Sequence, residues 1–237
     1  MSKVLVSDTI DPAGIDILSQ VAQVDVKTNL SPEELIKTIP EYDALMIRSS
    51  TRVTKEIIEA GKQLKIIGRA GVGVDNVDIP AATRQGIVVV NSPEGNTIAA
   101  AEHALAMMLS LSRHVPEANQ SVKNHQWDRK SFVGAEVYKK TLGVVGLGKI
   151  GSHVATVARA MGMKLLAYDP FISLERADQL GCRIVDMDLL LRESDYITLH
   201  IPKTSETTHL INAEALNKMK PTARIVNCAR GGIIDEQ

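Results

Sequence analysis

The sequence predicts an α/β protein of two lobes, each a parallel β-sheet covered by helices. Three observations predict it. Short β-branched runs alternate with helix-like stretches from one end to the other. A long helix of small residues separates an earlier series of such pairs from a later one. The later series opens on a glycine-patterned turn followed at a distance by an acid. Parallel strands buried on both faces read as continuous apolar runs, and alternation with helices places those helices on both sides of the sheet.

In chain order, VLVS (4–7), ALMI (44–47), KIIG (65–68) and IVVV (87–90) read as the strands of the first lobe. Between the first two lies SPEELIKTI, where Ser31 is an N-cap, Pro32 the first helical residue and Glu34 the far half of a capping box. After Asn96 the pattern changes. TIAAAEHALAMMLSLSR, from Thr97 to Arg113, keeps a helical period, Pro116 interrupts it, and a polar stretch is expected to run as an exposed arm to Trp127. The second series then follows as LGVVG (142–146), KLLAYD (164–169), RIV (183–185), YITLH (196–200) and ARIVN (223–227). The predicted boundary therefore falls between residues 1–96 and 97–237.

Composition narrows the function classes. Hydrophobic residues at 44% and charged residues at 23% are ordinary for a folded globular chain. A net charge of −1 without a basic block argues against nucleic acid or an anionic membrane as the main partner. The N-terminus lacks a signal-peptide layout, and no apolar run approaches a membrane span. Cys182 and Cys228 have neither CxxC nor histidine spacing, so no metal site is expected, and free thiols in a cytoplasmic protein are the default.

The chemistry begins at Gly146, Gly148 and Gly151, which form G-x-G-x-x-G between an apolar strand and a helix start. An acid, Asp169, lies 18 positions beyond Gly151 at the end of the next strand. That context, rather than the glycines alone, is the dinucleotide-binding fingerprint. Gly146 permits the turn, Gly148 lets the backbone approach a pyrophosphate, and Gly151 allows the helix to close on the strand. The free N–H groups of the helix start then face the phosphates. Asp169 would accept hydrogen bonds from the adenosine ribose hydroxyls and repel a 2′-phosphate, so NAD is expected over NADP. Two more strand ends, HIPKT (200–204) and NCARGG (227–232), point at the same crevice. Arg230, set between Ala229 and a Gly-Gly pair, has little to pack on, and its fork suits a carboxylate.

GLGKIG with Asp169, HIPKT and MKPTARIVNCARGGIIDE together resemble the D-isomer-specific 2-hydroxyacid dehydrogenase family. The likeness continues through IRSSTRVT (47–54), GRAGVGVDNVD (68–78), NSPEGNTIAAAEHALAMML (91–109) and WDRKSFVG (127–134). The resemblance implies two Rossmann/flavodoxin-like lobes, residues 1–96 binding substrate and 97–237 binding NAD. It implies oxidation of a 2-hydroxyl by hydride transfer to nicotinamide, with catalytic arginine, glutamate and histidine in that chain order. Arg230 matches the arginine. Lys149 and Ile150 match the phosphate turn, Ile201 and Pro202 the adenosine contacts, and Cys228 and Ala229 the nicotinamide pocket. Val72 and Gly73 match a loop that meets substrate and cofactor, and Asn96 a hinge residue that reaches substrate. Arg48, Arg69 and Arg129 match cations placed near a substrate phosphate. That trio favours D-3-phosphoglycerate, and with it serine biosynthesis, over the glyoxylate, lactate or formate substrates of other family members. An NAD-binding corepressor-like module of the same fold is the reading from a different class.

None of His103, His114, His125, His153, His200 and His209 matches the family's histidine. The resemblance places that residue and its glutamate after NCARGG, so a C-terminally truncated polypeptide is expected, with a cofactor lobe missing its last strands and a first lobe lacking its return segment. Some NAD affinity and negligible turnover are the corresponding expectation. IIDEQ (233–237) is expected to begin a helix. The segment from Pro116 through WDRK resembles the family's subunit-contact arm, which implies a homodimer or tetramer.

Overall fold

The computed structural model describes residues 1–237 and divides into two compact units, Met1–Asn96 and Thr97–Gln237. No helix is long and apolar enough to cross a membrane.

The first unit runs β1 (Lys3–Val6), α1 (Pro12–Ser19), β2 (Gln23–Val26), α2 (Pro32–Thr38), β3 (Ala44–Ile47), α3 (Lys55–Ala60), β4 (Ile66–Arg69), α4 (Ile79–Arg84) and β5 (Val88–Asn91). All pairings are parallel, in the order β2-β1-β3-β4-β5. The strand order reverses between β1 and β3, and in such sheets the crevice outside the carboxyl ends at the reversal is where ligands bind. Leu5, Leu45, Ile47 and Ile67 from the strands pack on Leu35, Ile39, Ile57 and Ile58 from the helices. Each is essentially buried, a gain of about 1.5–3 kcal/mol per side chain. Helix starts are written locally. Asp11 accepts the Ala13 N–H, Asp78 accepts that of Ala81, and Ser31 with Glu34 forms the reciprocal capping box.

The second unit runs α5 (Thr97–Arg113), α6 (Val115–Lys123), β6 (Thr141–Val145), α7 (Lys149–Ala160), β7 (Lys164–Tyr168), α8 (Leu174–Leu180), β8 (Cys182–Ile184), α9 (Met187–Glu193), β9 (Tyr196–Leu199), α10 (Ala213–Lys218) and β10 (Arg224–Asn227). Its sheet is also parallel, ordered β10-β9-β6-β7-β8, with the reversal between β6 and β9. α5 lies against α7 and β10, locked by a polar chain through the core. Ser112 donates to the Met108 carbonyl at 2.7 Å and shares a 2.8 Å bond with the Tyr196 hydroxyl, which also accepts from Arg224 at 3.0 Å.

Three local expectations are corrected. QVDV forms β2, although no apolar run announced it. It is an edge strand with only partly buried side chains, so its sequence did not need to be apolar. The stretch after Pro116 is exposed, as expected, but much of it is helical, because α6 occupies Val115–Lys123. His114 turns the chain in the left-handed region (φ 52°), and Pro116 then sits in a first helical turn, where its missing N–H costs nothing. IIDEQ is extended rather than helical. Ile211 donates to the Ile233 carbonyl at 3.1 Å and accepts from the Asp235 N–H at 2.9 Å, which seats Ile233 in the core with Leu190, Leu191 and Ile197.

Candidate active site

In the second unit the residues singled out from sequence gather at the carboxyl edge of the sheet, around its reversal point. β6 ends at Val145 and passes into Gly146, whose φ of 91° is open to glycine at little cost. A Cβ there would lie 2.8 Å from the His200 carbonyl oxygen, so the turn after β6 is pressed against the segment leaving β9. Ile201 is part of that contact, while Pro202 is exposed beside it. Gly148 caps α7 without a side-chain hydrogen bond, and a Cβ on it would meet nothing within 4 Å. The first turn of α7, with Lys149 and Ile150, thus begins at a residue with no side chain and with open space where its Cβ would be. A Cβ on Gly151 would overlap the Gly146 carbonyl oxygen, which fixes how closely α7 sits on the turn. These features fit a dinucleotide pyrophosphate at a helix N-terminus.

Asp169 follows β7 and is more committed than its sequence position revealed. Its Oδ2 accepts the Leu147 N–H at 2.7 Å, and its Oδ1 accepts those of Phe171 at 2.8 Å and Ile172 at 3.2 Å. The acid that the sequence expects at the ribose is therefore also the clamp of the glycine turn. His200 shares a 2.9 Å bond with Thr198, and burial pulls its pKa down to about 4, so it is neutral at physiological pH.

At the end of β10, Asn227, Cys228, Ala229, Arg230 and Gly231 line a groove of about 410 Å³ with His103, Met107 and Leu111 of α5. Asn227 shapes this turn. Its Oδ1 accepts the Ala229 N–H at 3.1 Å and its Nδ2 donates to the Arg230 carbonyl at 2.8 Å. The Arg230 guanidinium donates to the Ala229 carbonyl at 2.8 Å. Burial raises the Cys228 thiol pKa, which suits a packing residue better than a reactive thiolate. Asn227 stood in the quoted motif without a role. An amide two residues before a small residue and three before an arginine, at a strand end, was the available signal. Arg129 is exposed on a turn in which Asp128 accepts the Lys130 and Ser131 N–H groups.

In the first unit Arg48 and Arg69 leave adjacent strand ends. Ile47 and Arg69 are register partners on β3 and β4, and Ala70 donates to the Ile47 carbonyl at 2.8 Å. The Arg69 guanidinium folds over Gly71, where a Cβ would meet its Nη1 at 2.5 Å, and its Nε is buried without a hydrogen-bond partner. Val72 and Gly73 continue this loop, with the Val72 carbonyl accepting from Asn91 at 2.5 Å. Asn96 is exposed, just before α5 begins. Asp8, Thr51 and Asn76 also converge on this edge, and sequence reasoning gave them no part.

Residues 105–237 match the family model described as the NAD-binding domain of the D-isomer specific 2-hydroxyacid dehydrogenases. The chain belongs to that family. As a 2-hydroxyacid dehydrogenase family member, its second unit is an NAD-binding domain with the glycine turn in place. Among curated proteins, D-3-phosphoglycerate dehydrogenase of Synechocystis sp. is 77% identical over 237 residues, all of this chain and 43% of the relative. The same enzyme of Archaeoglobus fulgidus is 54% identical over 99% of this chain and 45% of the relative. The chain thus spans less than half the length of the curated relatives it matches. Among solved structures, D-lactate dehydrogenase of Aquifex aeolicus complexed with NAD and lactic acid has a TM-score of 0.89 at 30% identity, covering 98% of this chain and 70% of that one. The Escherichia coli D-lactate dehydrogenase has a TM-score of 0.83 at 34% identity, covering 98% and 75%.

Proposed function

We propose that this dehydrogenase chain serves the NAD-dependent oxidation of D-3-phosphoglycerate to 3-phosphohydroxypyruvate. The observation that carries the choice of substrate is the pair of arginines, Arg48 and Arg69, on neighbouring strand ends of the first unit's sheet. A dianionic phosphate needs such cations, and a methyl or hydrogen in its place does not. The 77% identity to a D-3-phosphoglycerate dehydrogenase supports the same reading.

Bound NAD supplies the hydride acceptor. The chain's residues supply binding and polarisation. The α7 N-terminus and the Gly146–Gly151 turn take the pyrophosphate, with Lys149 and Ile150 in that turn, and Asp169 takes the adenosine ribose. Ile201 and Pro202 flank the adenosine, while Cys228 and Ala229 line the nicotinamide side. Arg230 takes the substrate carboxylate and stabilises the negative charge that grows on the C2 oxygen. Val72, Gly73 and Asn96 contribute backbone and amide contacts to substrate, and Arg48, Arg69 and Arg129 take its phosphate. In this reading residues 1–96 are the substrate lobe and 97–237 the cofactor lobe. A homodimer or tetramer in the cytoplasm completes it, supported by the 80% exposed Trp127 in the arm that resembles the family's subunit contact.

The test is NADH formation by the full-length gene product carrying this sequence, on D-3-phosphoglycerate, D-lactate, D-glycerate and glycolate. A kcat/KM at least tenfold higher for D-3-phosphoglycerate is the outcome this reading requires, a difference of about 1.4 kcal/mol in transition-state binding. Equal or better use of D-lactate would overturn it in favour of a lactate-type member of the family.

A further inference from the structure

Asp8 stands at the reversal point of the first sheet, just past the end of β1, and is 5% exposed. A carboxylate removed from water needs strong donors. Here they come from one short segment after β3. Asp8 Oδ2 accepts the Arg48 N–H at 2.6 Å and the Thr51 N–H at 3.1 Å, and Oδ1 accepts the Thr51 hydroxyl at 2.8 Å. Ser7, also buried, shares a 3.0 Å bond with the same hydroxyl. From the loop after β4, Asn76 Nδ2 donates to the Arg48 carbonyl at 2.7 Å and the Thr51 carbonyl at 2.6 Å.

The backbone of Arg48 is therefore gripped on both sides, its N–H by Asp8 and its carbonyl by Asn76, while its side chain is exposed. Fold stability alone does not call for this. β3 already ends in ladder bonds, and an apolar residue at position 8 would avoid burying a carboxylate. What the grip achieves is a fixed Cα position and direction for one solvent-facing guanidinium, at the place on the sheet where ligands bind. Side chains that recognise a ligand bind it more tightly when their backbone is held in advance, because less freedom is lost on binding.

We infer that Asp8 and Asn76 are positioning residues that hold Arg48 ready for the phosphate of the substrate, and so set the preference for phosphorylated over unphosphorylated 2-hydroxy acids. The inference rests on the proposed assignment of Arg48 to that phosphate.

The experiment is calorimetric titration of the chain with D-3-phosphoglycerate and with D-glycerate, for the wild type, Arg48→Ala, Asp8→Asn, Asn76→Ala and the double variants with Arg48→Ala. Asp8→Asn and Asn76→Ala should each weaken D-3-phosphoglycerate roughly tenfold, the effect of losing a charge-assisted or doubled hydrogen bond. D-Glycerate should bind unchanged. In the Arg48→Ala background neither substitution should cause a further loss. A general structural role would weaken both ligands alike, or weaken D-3-phosphoglycerate equally with and without Arg48, and either result overturns the inference while leaving the substrate reading intact. A wild type that binds the two acids alike, or an Arg48→Ala variant that still prefers the phosphorylated one, overturns the substrate reading itself and the inference with it. Should Asp8→Asn not fold, Asn76→Ala alone decides, because it removes no charge.

Discussion

Asp169 accepts the Leu147 N–H at 2.7 Å, so the acid at the end of β7 holds the glycine turn at the end of β6. Its three backbone bonds leave part of the acceptor capacity of a carboxylate for a ribose hydroxyl. In the proposed reading, recognition of the ribose and the shape of the turn therefore depend on one side chain.

Asp169→Ala is accordingly predicted to cost more NAD affinity than one lost ribose bond. A Kd rise of about tenfold or more, 1.4 kcal/mol and upward, is expected. Asp169→Glu keeps the charge but cannot reproduce the short clamp, and should fall nearly as far. Fluorescence titration with NAD measures both. A loss in Asp169→Ala alone, with Asp169→Glu near wild type, would show that charge rather than the clamp is what matters.

Gly151→Ala should be damaging despite its small size. The added methyl would overlap the Gly146 carbonyl oxygen, forcing α7 away from the turn. Overpacking of this kind costs roughly 1–3 kcal/mol and would also misplace the helix N-terminus. The predicted signature is a lower urea midpoint at unchanged m together with loss of NAD binding. Gly148→Ala, which meets nothing within 4 Å in the free protein, should leave the urea midpoint nearly unchanged and weaken NAD alone.

Much of this was legible in the sequence, and what was not has a physical reason. Strands buried on both faces announce themselves by composition, so β1, β3, β4, β6, β7 and β9 could be read directly. The edge strand β2 could not, because one side of it needs no apolar cover. The glycine turn carried its chemistry in its spacing. The clamps of Asp8 on Arg48 and of Asn227 on Arg230 had no such spacing, since the first spans 40 positions and the second is an amide among small residues. Pro116 marked the break after α5, but the helix α6 that begins there was not legible, because a proline also suits a first helical turn.

His200 gives a pH prediction. Burial lowers its pKa in the folded state to about 4, whereas an unfolded histidine titrates near 6.5. Between those values the unfolded chain binds more protons, so stability falls as pH drops from about 6.5 toward 4 and is complete above that window. The contribution is on the order of 3 kcal/mol. Urea unfolding followed across this range should show the decline in the wild type and a flatter profile in His200→Gln. Equal slopes would remove His200 as the cause.

Tyr42 should be worth a measurable hydrogen bond in the first unit. It is 1% exposed, and its hydroxyl donates to Asp25 at 2.8 Å. Tyr42→Phe keeps the packing and removes the donor, with an expected loss of about 1 kcal/mol in urea unfolding. Asp25→Asn preserves an acceptor and should cost less. NAD affinity should be untouched by either, since the change lies in the other compact unit.

Asn227 is the last test, because it separates holding Arg230 from being Arg230. Its amide ties the Ala229 N–H to the Arg230 carbonyl across the turn. Asn227→Ala releases both and lets the arginine sample other directions, so affinity for D-3-phosphoglycerate should fall about tenfold with the guanidinium still present. Asn227→Asp keeps the acceptor for Ala229 but loses the donor to Arg230, so it should fall between wild type and Asn227→Ala. The double variant with Arg230→Ala should bind no more weakly than Arg230→Ala alone. Additive losses would mean that Asn227 contacts ligand itself or supports the strand generally, and the turn would then owe its shape to the backbone and not to this side chain.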